Sequence, residues 1–277
     1  MGVLLALGSS TAYGLADFFG GLLSRRGSVI VIALLGQAAG LLLSLAVALV
    51  LHPASATGVD LAWGALSGLG TGLGMLFLYR GMSRGDLSVV VPVSAVGGAA
   101  LPVLVGVGLL GDRPSTTSWL GIAAAVPAIW LVSRSRGTGG APAAAGVPDA
   151  LVASAWIALQ YTALAQASTD AGLWPIVAGR LAAVLALLPV LLLRRPPRLG
   201  RHLSLGAAAV GVAATLALLL YLLATRQQLM TVAVVLSSLY PVIPVVLGAT
   251  LLHERIGRGQ AVGLGAAAVA VTLVAVG

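Results

Sequence analysis

Cysteine is absent from this 277-residue chain, which excludes disulfides, thiolate catalysis and cysteine-based metal sites. Lysine is absent as well, so all 15 cations are arginine. Charge of either sign is scarce: 8% of residues are charged and 59% are hydrophobic. A soluble domain carries about a quarter charged residues. This chain cannot cover a water-facing surface, and lipid must be the solvent for most of its exterior. The seven acidic residues and three histidines are scattered, and His253 in LLHER lacks the second histidine of an HExxH metal site, so no metal is expected. No GxxxxGK[ST] loop occurs, and no cofactor is expected. In a soluble protein the net charge of +8 would suggest nucleic acid. Here the arginines sit in short loops between apolar runs and read as topology signals, so nucleic acid is not an expected partner. The N-terminus lacks a basic n-region and its first apolar run is long enough to span, so no signal peptide is expected.

What is present is long apolar runs. A spanning helix needs about 20 such residues. Ten candidates fall at 2–23, 28–51, 60–80, 87–110, 116–133, 150–169, 172–193, 203–224, 229–252 and 257–276. They are continuously apolar and lack the alternation of β-barrel strands, so helices are expected throughout. The stretch 134–149, RSRGTGGAPAAAGVPD, is rich in Gly, Pro and Ala and reads as a flexible linker after five helices.

The linker's central position suggests a repeat. Shifted by 142 residues without a gap, Gly64 meets Gly206, Tyr79 meets Tyr221 and Arg84 meets Arg226. Pro102 meets Pro244, Gly106 meets Gly248, Leu109–Leu110 meet Leu251–Leu252, and Gly121 meets Gly263. Arg113 meets Arg255 and Asp112 meets Glu254. Apolar matches arise by chance in such a chain, but the Tyr, Arg, Pro and acid–Arg matches do not. An odd number of helices per half makes the halves insert oppositely. The expected fold is therefore all-α integral membrane: ten transmembrane helices as two inverted five-helix repeats, residues 1–133 and 150–277, the architecture of secondary transporters.

Arginine sets the expected orientation. Arg25, Arg26, Arg80, Arg84, Arg134, Arg136, Arg194, Arg195, Arg198, Arg201, Arg255 and Arg258 follow odd-numbered helices, whereas the other side has only Arg113 and Arg226. The bias predicts a cytoplasmic linker, a cytoplasmic RRPPRLGR loop and both termini outside, in a multi-pass protein of the cell inner (cytoplasmic) membrane.

The stretch 238–276, SLYPVIPVVLGATLLHERIGRGQAVGLGAAAVAVTLVAV, resembles the closing two helices of the EamA family of the drug/metabolite transporter superfamily. Its marks are a proline-bearing ninth helix, a Leu-Leu-x-Glu-Arg turn, then a Gln- and Gly-rich tenth helix. Residues 86–133 repeat it with Asp112 in place of the usual Glu, and residues 12–26, AYGLADFFGGLLSRR, are similar to the family's first helix. The resemblance covers essentially the whole chain. It implies a metabolite or drug exporter working by alternating access, and reads the Glu-Arg turn as structural more than as a transport site. Family members are often drawn with both termini in the cytoplasm, against the charge reading here.

Asp17 is the most informative single residue. A carboxylate inside an apolar run costs several kcal/mol unless paired, protonated or hydrated. It is a candidate for proton coupling or substrate binding, and it resembles the membrane-embedded acid in the first helix of the small multidrug transporters. The bland alternatives are a partner for Arg25 or a place at the interface. Arg180 is the one arginine well inside a helix. It is a candidate to hold a substrate carboxylate or phosphate through its planar fork, or else to pair with Asp17 or snorkel. Pro92 and Pro102 are expected to interrupt helix four, and Pro241 and Pro244 helix nine. Breaks at matching places in two repeats point to a central site, although kinks serving only packing give the same pattern. Ser94, Ser237, Ser238 and Tyr240 flank these breaks. Tyr13 lies one turn before Asp17 on the same face. Trp156, Gln160 and Tyr161 in helix six and Gln37 in helix two complete a candidate cavity, though each alone fits a packing role. Trp63, Trp119 and Trp174 lie near helix ends as interfacial anchors. The glycines of helix three read as tight packing within one bundle rather than as a dimer face.

These features point to a secondary transporter of small organic solutes, amino-acid-like or drug-like, with the bilayer as surroundings, protons as a candidate driving ion, and a monomeric or homodimeric state. Two other classes carry less support. A membrane enzyme on lipid-linked substrates would need clustered acids, histidines or a nucleophile at one face, whereas the acids here are dispersed. A non-transporting membrane scaffold needs no site at all.

Overall fold

The computed structural model describes residues 1–50, 55–110, 113–133, 143–225, 227, 236–237 and 239–276. Its α-helices are α1 (Gly2–Ser24), α2 (Val29–Val50), α3 (Gly58–Arg84), α4 (Leu87–Val105), α5 (Thr116–Ser133), α6 (Val147–Leu164), α7 (Trp174–Arg194), α8 (Arg201–Thr225), α9 (Val242–Leu251) and α10 (Arg258–Val276). A π-turn at Gly106–Leu110 extends α4, and 3-10 turns occupy Ala143–Gly146 and Thr169–Ala171. Among the described residues there is no strand, and seven helices are long and apolar enough to cross a membrane. Large apolar side chains point outward along them, such as Leu42, Val126 and Leu192, as lipid-facing surface requires.

Helix limits follow local chemistry. Thr57 caps α3: its hydroxyl accepts from the Asp60 N–H (3.2 Å) while the Asp60 carboxylate accepts from the Thr57 N–H (2.9 Å). The other Asp60 oxygen accepts from the Ser168 N–H at 2.8 Å, tying this end of α3 to the loop after α6. α7 stops where Arg195 turns left-handed (φ 42°) ahead of Pro196 and Pro197, since a residue before proline is disfavoured in helix.

Each half buries its faces on the other. α3 lies against α6 and α7, α8 lies against α1 and α2, α2 meets α7, and α5 meets α10. Exchanging each helix for the one five places later turns the first pair of contacts into the second and leaves the last two unchanged. Gly68 of α3 packs directly on Gly179 of α7, and Gly211 of α8 on Gly36 of α2. Shifted by 142 residues, the second pair falls one residue from the first. The expectation that the α3 glycines serve packing inside one bundle is met. A Cβ at Gly64 would lie 2.6 Å from the Pro175 Cα, and one at Gly70 would lie 2.5 Å from the Trp156 carbonyl oxygen. Small residues allow this backbone approach. α4 is the central element: Leu87, Val89, Val90 and Val91 have no exposed surface, with α6, α9, α10 and α5 around them.

Several expectations need correction. Helix six runs from Val147 to Leu164 rather than 150–169, because Pro148 is well placed in a first helical turn. Helix four is not interrupted: α4 runs through both Pro92 and Pro102. A proline removes one hydrogen bond, and tight packing on all sides holds the helix regardless. In the ninth segment a break does occur. Leu239–Pro241 form a turn and α9 starts only at Val242, so the described helix is shorter than 229–252, with Pro244 inside its first turn. Residues 229–235 of that expected helix, linker residues 134–142, and Asp112, Arg226 and Ser238 lie outside the described residues.

Candidate solute site between the halves

Two opposite charges lie inside the bundle. Asp17, on α1, is 8% exposed. Among the described residues its carboxylate neither accepts a hydrogen bond nor joins an ion pair. It lies within electrostatic range of four tyrosines: Tyr13 on α1, Tyr79 on α3, Tyr161 on α6 and Tyr240 in the turn before α9. Two glycines of α1 make the approach possible. A Cβ at Gly20 would meet the Tyr79 hydroxyl at 2.5 Å, and one at Gly14 would lie 2.6 Å from the Tyr240 carbonyl oxygen. The rings of Tyr13 and Tyr240 sit 6.2 Å apart at 55°.

Arg180, on α7, donates from Nη1 to the Gln37 Oε1 of α2 at 2.6 Å. Its guanidinium lies over Gly40, where a Cβ would stand 3.4 Å from Cζ. The Thr215 hydroxyl of α8 flanks the same spot and donates back to the Gly211 carbonyl at 2.9 Å. Tyr13 and Tyr79 are within electrostatic range of both Arg180 and Asp17, yet no ion pair joins the two charges. The suggested Asp17–Arg180 pair is therefore not formed, and neither is an Asp17–Arg25 pair. The described ion pairs are Arg25–Glu254, Arg80–Asp149 and Arg84–Asp149.

The remaining expected site residues are placed less centrally. The Ser94 hydroxyl donates to its own helix at the Val91 carbonyl (2.9 Å), and its carbonyl accepts from Ser154 of α6 (3.3 Å). Ser237 donates to the Ala6 carbonyl at 3.5 Å. Trp156 and Gln160 are half-buried and offer backbone to Gly70. Sequence reasoning missed Tyr79 and Tyr221 as site residues, the latter in electrostatic range of Tyr13 and Tyr161. Their coincidence under the 142-residue shift was the available signal.

A second buried cluster closes the arginine-rich end. His253 takes a left-handed conformation (φ 55°) and swings Glu254 inward, with the Glu254 N–H donating to the Gly248 carbonyl at 3.0 Å. The carboxylate then caps α4: Oε1 accepts from the Leu87 N–H (3.0 Å) and Oε2 from the Ser88 N–H (2.9 Å). Arg25 reaches Oε1 at 3.3 Å while also donating to the Gly85 carbonyl (2.8 Å) and the Met82 carbonyl (3.0 Å). Gln260 of α10 donates to the Ser88 hydroxyl at 3.1 Å. Gly248 must lack a side chain, since a Cβ would stand 2.7 Å from Oε2. This is how the Glu-Arg turn acts structurally: it joins the end of the second half to a helix start in the first.

The profile of the EamA-like transporter family matches residues 1–134 and again 145–276. The chain belongs to the EamA-like transporter family. The two matches coincide with the two halves that exchange contacts, and they make this EamA-like chain a multi-pass membrane protein of two repeats within the drug/metabolite transporter superfamily. No curated protein sequence matches it. Among solved structures, one titled only "Crystal structure of protein" has a TM-score of 0.60 at 16% identity, covering 98% of this chain and 95% of that one. That likeness concerns the fold alone.

Proposed function

We propose that this EamA-like protein is a secondary transporter that exports small organic solutes, amino-acid-like or drug-like, by alternating access. Ten spans in two inverted repeats, residues 1–133 and 150–277 joined by a cytoplasmic linker at 134–149, would rock about a site bounded by Asp17, Arg180 and the tyrosines. The observation that carries this reading is two opposite charges inside an apolar bundle, one on a helix of each half, that join no ion pair among the described residues. Such groups are costly in a membrane and mark solute or ion pathways. Asp17 is the coupling acid in this reading, exchanging a proton as the site changes face. The turn at Tyr240–Pro241, packed on α1 beside Asp17, is the hinge. The bias of arginine to one end supports both termini facing out. A reporter fused to Gly277 that reports cytoplasm overturns that orientation.

The test is flux in proteoliposomes with and without an imposed pH gradient, across a solute panel. Solute uptake that follows the gradient and is lost in Asp17→Asn supports the reading. Gradient-driven flux that survives Asp17→Asn removes Asp17 from coupling. Chemical change of a solute would make the protein an enzyme, and no flux of any solute would leave a scaffold.

A further inference from the structure

We propose that the arginine-rich end carries a binding site for an anionic phospholipid, its phosphate held between the α7–α8 loop and the α1–α2 turn and an acyl chain lying along α7. The loop is RRPPRLGR, residues 194–201. Leu199 seats it on the first half: a Cβ at Gly27, in the α1–α2 turn, would stand 2.5 Å from the Leu199 Cδ2 and 3.5 Å from the Leu203 Cδ1 of α8. Pro196 and Pro197 have fixed φ angles, which stiffens the loop's path. Five arginines lie within five residues of this contact: Arg26 beside Gly27, Arg198 beside Leu199, Arg201 opening α8, and Arg194 and Arg195 closing α7. All five are exposed.

No carboxylate answers them among the described residues. The sequence has no acid between Asp17 and Asp60, or between Asp170 and Glu254. Glu254 and Asp149 are engaged by Arg25, Arg80 and Arg84 instead. The guanidinium fork matches phosphate geometry. The surface leading up to the arginines makes the partner a lipid rather than a soluble anion. Leu181, Leu185 and Leu193 are 48%, 55% and 85% exposed, and steps of four and eight residues put them on one face of α7. From Leu181 to Leu193 the helix rises about 18 Å, close to the depth of one leaflet of a ~30 Å hydrocarbon core. A chain on that stripe brings its phosphate to Arg194 and Arg195. A zwitterionic headgroup carries an ammonium beside its own phosphate, which an all-cationic cluster repels, so charge selects an anionic lipid. The site is separate from Asp17 and Arg180 and does not depend on transport.

The experiment is native mass spectrometry of the full-length purified protein in detergent, titrated with equimolar dioleoyl phosphatidylglycerol and dioleoyl phosphatidylethanolamine. The two lipids share their chains and differ in charge. Phosphatidylglycerol is expected to bind about tenfold or more tighter. The double variant Arg198→Gln/Arg201→Gln should cut that preference about fivefold or more. Arg255→Gln/Arg258→Gln removes the same two charges from the α9–α10 turn at the same end and should leave the preference within about twofold of the wild type. A melting profile identifies misfolding, and Arg26→Gln, on the other side of the Gly27–Leu199 contact, gives a second reading with a loss of about threefold. No preference for phosphatidylglycerol, or an equal fall in both double variants, overturns the proposal. Displacement of phosphatidylglycerol by an equimolar amount of glycerol 3-phosphate overturns it too, since the site would then take a soluble phosphate and not a lipid.

Discussion

Replacing Glu254 by alanine should be among the most damaging single changes in the chain, although the residue sits in a turn at one end. Its two oxygens satisfy the N–H groups of Leu87 and Ser88, residues with 0% and 1% exposure. Neither amide has an intrahelical partner, because both open α4. Each buried donor left without an acceptor costs about 1–3 kcal/mol, and Arg25 also loses its carboxylate. Removing one member of a buried ionic cluster costs about 3–5 kcal/mol, so that is the expected loss for Glu254→Ala. Glu254→Gln retains one acceptor oxygen and should lose about half as much. Arg25 is the internal control: its side chain is 29% exposed, and Arg25→Gln leaves both amide bonds to Glu254 intact. It removes the counter-charge of Glu254 and the bonds to the Met82 and Gly85 carbonyls, and should cost about 1.5–3 kcal/mol, less than Glu254→Ala. Equilibrium unfolding in mixed micelles, followed by tryptophan fluorescence, reads all three. If Glu254→Ala and Arg25→Gln unfold together, the cap is not what holds α4, and the argument from buried amides is wrong.

Other outcomes follow from the same geometry. Gly64→Ala drives a methyl toward the Pro175 Cα, 2.6 Å away, so α3 must shift from α7; a loss of about 1–3 kcal/mol is expected by the same unfolding assay. Arg80 and Arg84 share Asp149, and their side chains are 46% and 52% exposed; Arg80→Gln alone should cost under about 1 kcal/mol, whereas Asp149→Ala, which frees both, should cost more than either arginine variant. At the same end, burial and the neighbouring Glu254 raise the Asp86 carboxyl above the ordinary aspartate value, with Arg25 opposing. A raised folded-state value means this group's contribution is fullest in acid and falls as pH climbs through that value, so Asp86→Asn should gain on the wild type from about pH 4 upward in melting profiles. A constant difference across that range would refute it.

Hydropathy makes the helices legible because a spanning element must be apolar along its whole length, and the 142-residue match identifies which helices correspond. Neither reveals partners. Arg25 and Glu254 are 229 residues apart, and nothing local in LLHER points to the start of α4. The prolines mislead in one half and inform in the other, because composition is the same whether neighbours hold a helix together, as around α4, or let it break, as before α9. The candidate site was half legible. An acid, an arginine or a lone amide in an apolar run stands out, so Asp17, Arg180 and Gln37 are legible. Tyr79 does not stand out, because a tyrosine near a helix end reads equally as an interfacial anchor.

The exchange of helix faces between halves has a consequence for biosynthesis. The glycine-lined face of α3 leaves the ribosome long before the helix it is shaped for. Gly74 and Trp174 are 100 residues apart, which at about 5–20 residues per second is a delay of about 5–20 s. During that interval the first five helices have no native cover for α3, and lipid or an insertion chaperone must shield it. A ribosome stalled in the 134–149 segment would therefore hold a half-protein whose bare glycine stripe is open to any passing helix, including the same stripe of another nascent chain.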